Sequence, residues 1–157
     1  MHILLVHPKT KNLSTIVSSK SFLPGHQLRH DIINTFSDMD VFGGGYNPIE
    51  NKISGLREYR FHIVVENCKK DYYFSEKLID CFVTGVIPIY WGCPSIGDFF
   101  DIDGILTFDS IGDLGELLSN LTEELYLDRL QSINNNFVKS QDFIVADDIL
   151  YKKIKND

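Results

Sequence analysis

Ser75, Glu76 and Lys77 stand in a row and combine a hydroxyl, a carboxylate and an ammonium group. A serine just ahead of an apolar periodic stretch reads as a helix N-cap, because its oxygen can accept a backbone N–H of the first turn. Leu78, Ile79, Phe82 and Val83 supply that stretch, and Gly85 stops it. A helix start presents unpaired N–H groups and the positive end of a dipole, which suits a phosphate. Lys77 adds a full positive charge there. Glu76 cannot bind phosphate, but a carboxylate accepts well from two adjacent ribose hydroxyls. One helix start can thus hold a ribose and a diphosphate. Glu76 also has a plain structural use, since an acid in a first turn stabilises by about 0.3–1 kcal/mol. Lys77 gains nothing from the dipole.

Other residues qualify as candidates. Glu66 and Asn67 follow an apolar run and read as a turn or as a site; Tyr73, in the loop beyond, reads as packing or as a pocket wall. Arg29 lies off the apolar face of its helix and is either a solvated arginine or a clamp whose forked donors grip a phosphate. Ser18, Ser19 and Lys20 form a polar loop after a strand-like run. Asp38-Met39-Asp40 has the letters of a metal-binding D-x-D but precedes a strand rather than following one. Gly43-Gly44-Gly45 lacks the following Lys-Ser/Thr of a phosphate loop. His26 and His30 share a helical face without acidic partners and read as surface histidines. No metal site is expected.

These side chains must be positioned by the elements around them. Thr15–Ser18, Asp40–Phe42, Arg60–Glu66, Val86–Trp91 and Gly104–Phe108 read as strands, with Pro88 signalling a bulge or distortion. Pro24-Gly25 precedes a helical pattern through Leu28, Ile32, Ile33 and Phe36. Ser75–Thr84 is a second helix, and helical patterns run from about Leu114 through Tyr151, with Lys152–Asp157 frayed. The alternation predicts an α/β fold: a Rossmann-like parallel sheet with helices on both faces. In such a sheet, ligands bind beyond the carboxyl ends of the strands. Ser18–Lys20, Glu66–Lys77 and Trp91-Gly92-Cys93-Pro94 supply that edge.

The 157 residues suit one domain. A net charge of −7 argues against nucleic-acid binding, which rests on cationic contacts to phosphate. Cys68, Cys81 and Cys93 match no zinc spacing and read as free thiols of a reducing compartment. The apolar run at the N-terminus is too short for a signal peptide or membrane anchor, so a cytoplasmic protein is expected.

Tyr59-Arg60-Phe61-His62-Ile63-Val64-Val65-Glu66-Asn67-Cys68, followed by Asp71-Tyr72-Tyr73-Phe74-Ser75-Glu76-Lys77-Leu78, resembles the signature of the α-1,3/1,4-fucosyltransferases, glycosyltransferase family 10. Thr84-Gly85-Val86-Ile87-Pro88-Ile89-Tyr90-Trp91-Gly92 matches its downstream Gly-x-Ile/Val-Pro strand. Ile16-Val17-Ser18-Ser19 with Arg29, and Asp40-Val41-Phe42-Gly43, match upstream segments. The resemblance covers about residues 9 to 137. It implies the C-terminal, GDP-fucose-binding lobe of a GT-B glycosyltransferase that transfers the sugar with inversion to a glycan hydroxyl, without a cofactor. It places the ribose on Glu76 and the diphosphate on Lys77 and Arg29, both also stabilising the leaving group. Asn67 and Tyr73 line the same pocket, with Ser18, Ser19, Lys20 and Ser75 around it, and Glu66 faces the sugar. The family's catalytic base belongs to an N-terminal acceptor domain that these residues do not match, so the base is unassigned. Glu66, Asp98, Asp101 and Asp103 are the carboxylates that can substitute for it without support from any motif. The other reading is a donor-binding module that needs a homodimer partner or another chain for the acceptor site.

Overall fold

Short apolar runs alternating with amphipathic ones can bury both kinds of face only by layering helices on a sheet. The computed structural model of the chain describes residues 7–156, with side chains as far as Ile144. The N-terminal run Met1 to Val6 and the terminal Asp157 lie outside the described residues. Five strands, β1 (Lys11–Ile16), β2 (Asp40–Phe42), β3 (Tyr59–Val65), β4 (Ile87–Trp91) and β5 (Leu106–Thr107), pair in the order β2-β1-β3-β4-β5. Every pairing is parallel. Helices α1 (Pro24–Thr35) and α2 (Glu76–Val83) make the first crossovers. Helices α3 (Ile111–Leu118), α4 (Glu123–Asp128) and α5 (Leu130–Asn156) complete the chain.

The central strand β3 separates two cores. Phe61, Ile63 and Val65 face the layer holding Ile32 of α1 and Leu114 of α3. Val64 faces the opposite layer, with Leu78 and Phe82 of α2 and Phe100. The period of two along β3 therefore turns His62 and Glu66 to the α2 side with Val64. Both are buried.

Several expectations are corrected. Strand β1 begins at Lys11 and ends at Ile16, earlier than Thr15–Ser18. Its polar Ser14 and Thr15 tolerate burial because the Ser14 hydroxyl donates to the Gly55 carbonyl at 2.5 Å and Thr15 donates to that of Ile63 at 3.1 Å. Pro88 causes no bulge: the register from Phe61↔Ile87 to Val65↔Trp91 is unbroken. The β5 ladder touches β4 only at Ile89 and Tyr90, so Pro88 lies outside it. Strand β5 is shorter than Gly104–Phe108, because Ile102–Gly104 forms a 3₁₀ turn capped by Asp101. The helical stretch starts earlier, at Ile111, capped by Ser110, and it is three helices. The backbone of α5 stays helical to Asn156, where fraying was expected. No two of the three cysteines are joined. Among the described residues, no helix is long and apolar enough to cross a membrane.

Candidate functional site

The strand order reverses between β1 and β3, and the loops leaving a parallel sheet diverge at such a switch point to open a crevice. A cavity of about 160 Å³ lies there. Thr15, Ile16 and the segment from His62 to Val65 form its sheet side. Arg29, Glu76, Lys77 and Asp80 line it from the helices, and Lys52 and Leu56 from the connection before β3. This is smaller than the roughly 300–1,000 Å³ of most small-molecule clefts. A cavity of this size has room for only part of a ligand of that class.

The helix start works as the sequence implies. The Ser75 hydroxyl accepts from the Lys77 amide at 3.4 Å, and Glu76 lies in the first turn. The far end of α2 closes where Gly85 follows it: the Gly85 amide donates to Phe82 and the Val86 amide to Cys81. Glu66 holds this arrangement in place. Its carboxylate, wholly buried, accepts from the Ser75 amide at 2.7 Å, the Ser75 hydroxyl at 2.6 Å and the Tyr90 hydroxyl at 3.1 Å. Burial and the neighbouring carboxylate push the Tyr90 phenol up, so it remains a donor. Gly92 is required here, since a Cβ on it would lie 2.5 Å from Glu66 Cγ.

Arg29 is a buried residue rather than a solvated one. Nε donates to the Val65 carbonyl at 3.0 Å, and Nη2 donates both to that carbonyl and to Asn67 Oδ1. Burial lowers its pKa, with Glu66 and then Tyr73 opposing; a guanidinium stays charged in proteins. The placement depends on Gly25, whose amide donates to the Asn67 carbonyl at 2.9 Å. A Cβ there would sit 1.8 Å from the Glu66 carbonyl oxygen. The first turn of α1 therefore lies directly on the Glu66–Asn67 backbone, and Arg29 follows one turn later.

His26 is not a surface histidine. It is buried, and its Nδ1 accepts the Leu23 amide at 3.2 Å at the start of α1. Its pKa is lowered first by burial and next by Arg29; Lys20 and Lys77 lower it further, while a hydrogen bond with Asn67 opposes them. Three cations from three separate segments thus act on one imidazole, so they converge at this edge. His30 is half-buried, and its Nε2 lies 3.0 Å from the Lys20 carbonyl, tying the Ser18–Lys20 loop to α1.

The structure gathers Arg29, Glu76 and Lys77 around the cavity, with Asn67, Glu66 and Ser75 bracing them. Ser18, Ser19 and Lys20 stand on the same edge but do not line the cavity. Tyr73 lines a neighbouring hollow with Phe74, Ser75, Glu76, Ile79 and Phe143. Asp101 is committed elsewhere: it accepts from the Asp103 amide and from Asn135 Nδ2 at 2.8 Å. The bond from Asn135 first, and that from the Asp103 amide after it, hold its pKa down against burial. Asp40 accepts from the Tyr59 hydroxyl at 2.5 Å. Among the described residues, no three of the side chains that ligate metals come together.

Lys52, His62 and Asp80 are cavity residues that sequence reasoning missed. Asp80 lies four residues after Glu76 on one helical face, a readable signal. His62 interrupts an otherwise apolar strand, another. Lys52 sits 3.9 Å from Glu76 and 3.6 Å from Asp80, a contact only the folded chain creates.

Residues 6–138 match the family model described as glycosyltransferase family 10 (fucosyltransferase), C-terminal. The chain is 29% identical over 134 residues to the α-(1,3)-fucosyltransferase FucT of Helicobacter pylori, covering 78% of this chain and 28% of that protein. It is 46% identical over 75 residues to α-(1,3)-fucosyltransferase B of Drosophila melanogaster, covering 48% and 16%. A crystal structure of α1,3-fucosyltransferase with GDP aligns at a TM-score of 0.63 and 25% identity, covering 85% of this chain and 46% of that one. The same enzyme class with GDP-fucose aligns at 0.64 and 24%, covering 87% and 47%, a likeness of fold. The chain spans less than a third of the curated relatives and about half of the solved ones.

Proposed function

The chain belongs to glycosyltransferase family 10, in the C-terminal domain of its fucosyltransferases, and from that premise we propose that it binds GDP-fucose or a related GDP-sugar and serves its transfer to a glycan hydroxyl. The observation that carries this is the meeting of Arg29, Glu76 and Lys77 around one cavity at the β1/β3 switch point. Lys77 and the α2 amides receive the diphosphate, and Glu76 the ribose hydroxyls. Arg29 reaches the same place from α1. Relatives of this domain named as α-(1,3)-fucosyltransferases, and a neighbour solved with GDP, support the nucleotide.

In the transfer, the bond between the anomeric carbon and the diphosphate oxygen breaks as an acceptor hydroxyl attacks the opposite face, inverting that carbon. The hydroxyl's proton passes to a base. Negative charge grows on the departing GDP, where Lys77 and Arg29 already stand, so they stabilise the transition state more than the bound donor. Glu66 acts as a positioning residue for Ser75, its three hydrogen bonds leaving it no free role as base.

A donor-binding module, with acceptor site and base supplied from outside these residues, is the second reading. It is favoured by the engagement of both Glu66 and Asp101 in protein hydrogen bonds. Calorimetry with GDP, GDP-fucose and a UDP-sugar tests the proposal. Binding of the GDP compounds alone is expected; none from any of them overturns it. Assay of GDP-fucose hydrolysis and of transfer to N-acetyllactosamine then separates the two readings, since binding without turnover selects the module.

A further inference from the structure

Part of the cavity lining lies outside the set proposed above for ribose and phosphate. Beside Arg29, Glu76 and Lys77, the cavity is lined by apolar side chains, Ile16 and Leu56 among them, and by Lys52, His62 and Asp80. Flat apolar walls with a few placed polar groups are what a heteroaromatic ring needs.

The state of His62 follows from its neighbours. The Ser14 hydroxyl has one proton and donates it to the Gly55 carbonyl at 2.5 Å. The contact of 2.7 Å between Ser14 Oγ and His62 Nδ1 must therefore be donated by the imidazole. Nε2 is left as a bare acceptor. The ring is 5% exposed, and Nε2 has no protein partner among the described residues. No buried side-chain nitrogen or oxygen among them is left without a partner, so Nε2 opens onto the cavity that His62 lines.

Asp80 adds a second acceptor. It lies four residues beyond Glu76, about 6 Å further along α2. With ribose hydroxyls on Glu76 at the mouth, the base attached to that ribose reaches toward Asp80. Burial raises the Asp80 pKa even with Lys52 opposing, which places the carboxylate in space partly withdrawn from water. Lys52 stands 3.6 Å from Asp80 as an adjacent donor.

Resting on the reading that this cleft binds a nucleotide, we infer that the cavity reads guanine directly, Asp80 and His62 Nε2 accepting from its N1–H and 2-amino group and Lys52 donating to O6. Guanine shows one acceptor beside two donors along this edge, the complement of one donor and two acceptors. Adenine presents an amino group where Lys52 needs an oxygen. Uracil presents a carbonyl where guanine has its amino group, leaving two acceptors facing each other.

The test is calorimetry of the chain with GDP, IDP, XDP, ADP and UDP, repeated on Asp80→Asn and His62→Phe, with thermal melts to confirm folding. IDP lacks the 2-amino group, so the wild-type chain should prefer GDP to IDP about tenfold or more, as for a lost hydrogen bond to a charged group. Asp80→Asn should weaken GDP at least tenfold and improve XDP, whose 2-carbonyl can accept from the new amide. His62→Phe keeps a ring and removes the acceptor, so it should shrink the preference for GDP over IDP. Should His62→Phe fail to fold, Asp80→Asn on the half-exposed face of α2 decides alone. Equal affinities for GDP, IDP and XDP, or an Asp80→Asn chain with unchanged GDP affinity, overturn the guanine-reading cavity and leave the nucleotide reading standing. Failure of the wild-type chain to bind any GDP compound removes both.

Discussion

Glu66 and Ser75 are joined twice: the amide and the hydroxyl of Ser75 both donate to the buried carboxylate, at 2.7 and 2.6 Å. The end of β3 is thereby fastened to the start of α2 across a nine-residue separation. The same hydroxyl oxygen caps the helix by accepting from the Lys77 amide. One serine sets the direction in which the α2 amides, Glu76 and Lys77 face.

Ser75→Ala removes the cap, about 1 kcal/mol, and takes a donor from a buried carboxylate, about 1–3 kcal/mol more. A total loss of about 2–4 kcal/mol is expected in urea melts, with weaker GDP binding. Ser75→Thr keeps the hydroxyl and should stay within about 0.5 kcal/mol of the parent chain. Equal stability of the alanine and threonine variants contradicts the bracket.

Lys77→Ala should weaken GDP by at least tenfold through loss of a charge-assisted contact. Among the described residues its Nζ makes one contact, at 3.5 Å with Ser75 Oγ. The melting temperature should therefore hardly move. Calorimetry and a thermal melt on the same sample separate affinity from folding, and unchanged affinity takes Lys77 out of the site.

His62 makes stability depend on pH. Burial pushes its pKa from 6.5 down to about 3. Below pH 6.5 the unfolded chain takes up a proton that the native imidazole refuses, so stability falls as pH drops from 6.5 toward 3. Above 6.5 neither state binds it and the effect vanishes. His26, lowered by burial and then by Arg29, acts in the same direction. The His62 proton contributes a slope of about 1.4 kcal/mol per pH unit within that window. Urea melts from pH 8 to 5 should show the fall, and His62→Gln should lessen the slope. An unaltered slope in that variant refutes the assignment.

Tyr72 holds φ at 63°, the left-handed region, and the residue is 74% exposed. Its amide donates to Ser95 Oγ at 2.9 Å, and its ring meets Phe99 edge-on. The side chain recovers little by burial, and the backbone strain is about 1–2 kcal/mol. Tyr72→Gly should raise stability by up to about 1 kcal/mol, partly offset by glycine's greater freedom in the unfolded chain. Chemical denaturation measures it. A loss larger than 1 kcal/mol would falsify the idea that this ring is a poor packing element.

Much of this was legible in the chain itself. The Ser75 cap, the apolar face of α2 and its Gly85 stop, and the alternation of elements depend on neighbours within a few residues, where local backbone physics decides. The long Glu-Asn to Ser-Glu-Lys signature carried the family. Three things needed the folded structure. Glu66 is a brace because β4 brings Tyr90 under it and α2 closes over it. His26 is buried because Gly25 lets α1 lie on the β3 loop. Lys52 joins Glu76 and Asp80 from 24 and 28 residues away. Hydrophobic period and capping tell which way a side chain leaves its own element. What it meets there is set by the crossing of other elements, and no local preference encodes that.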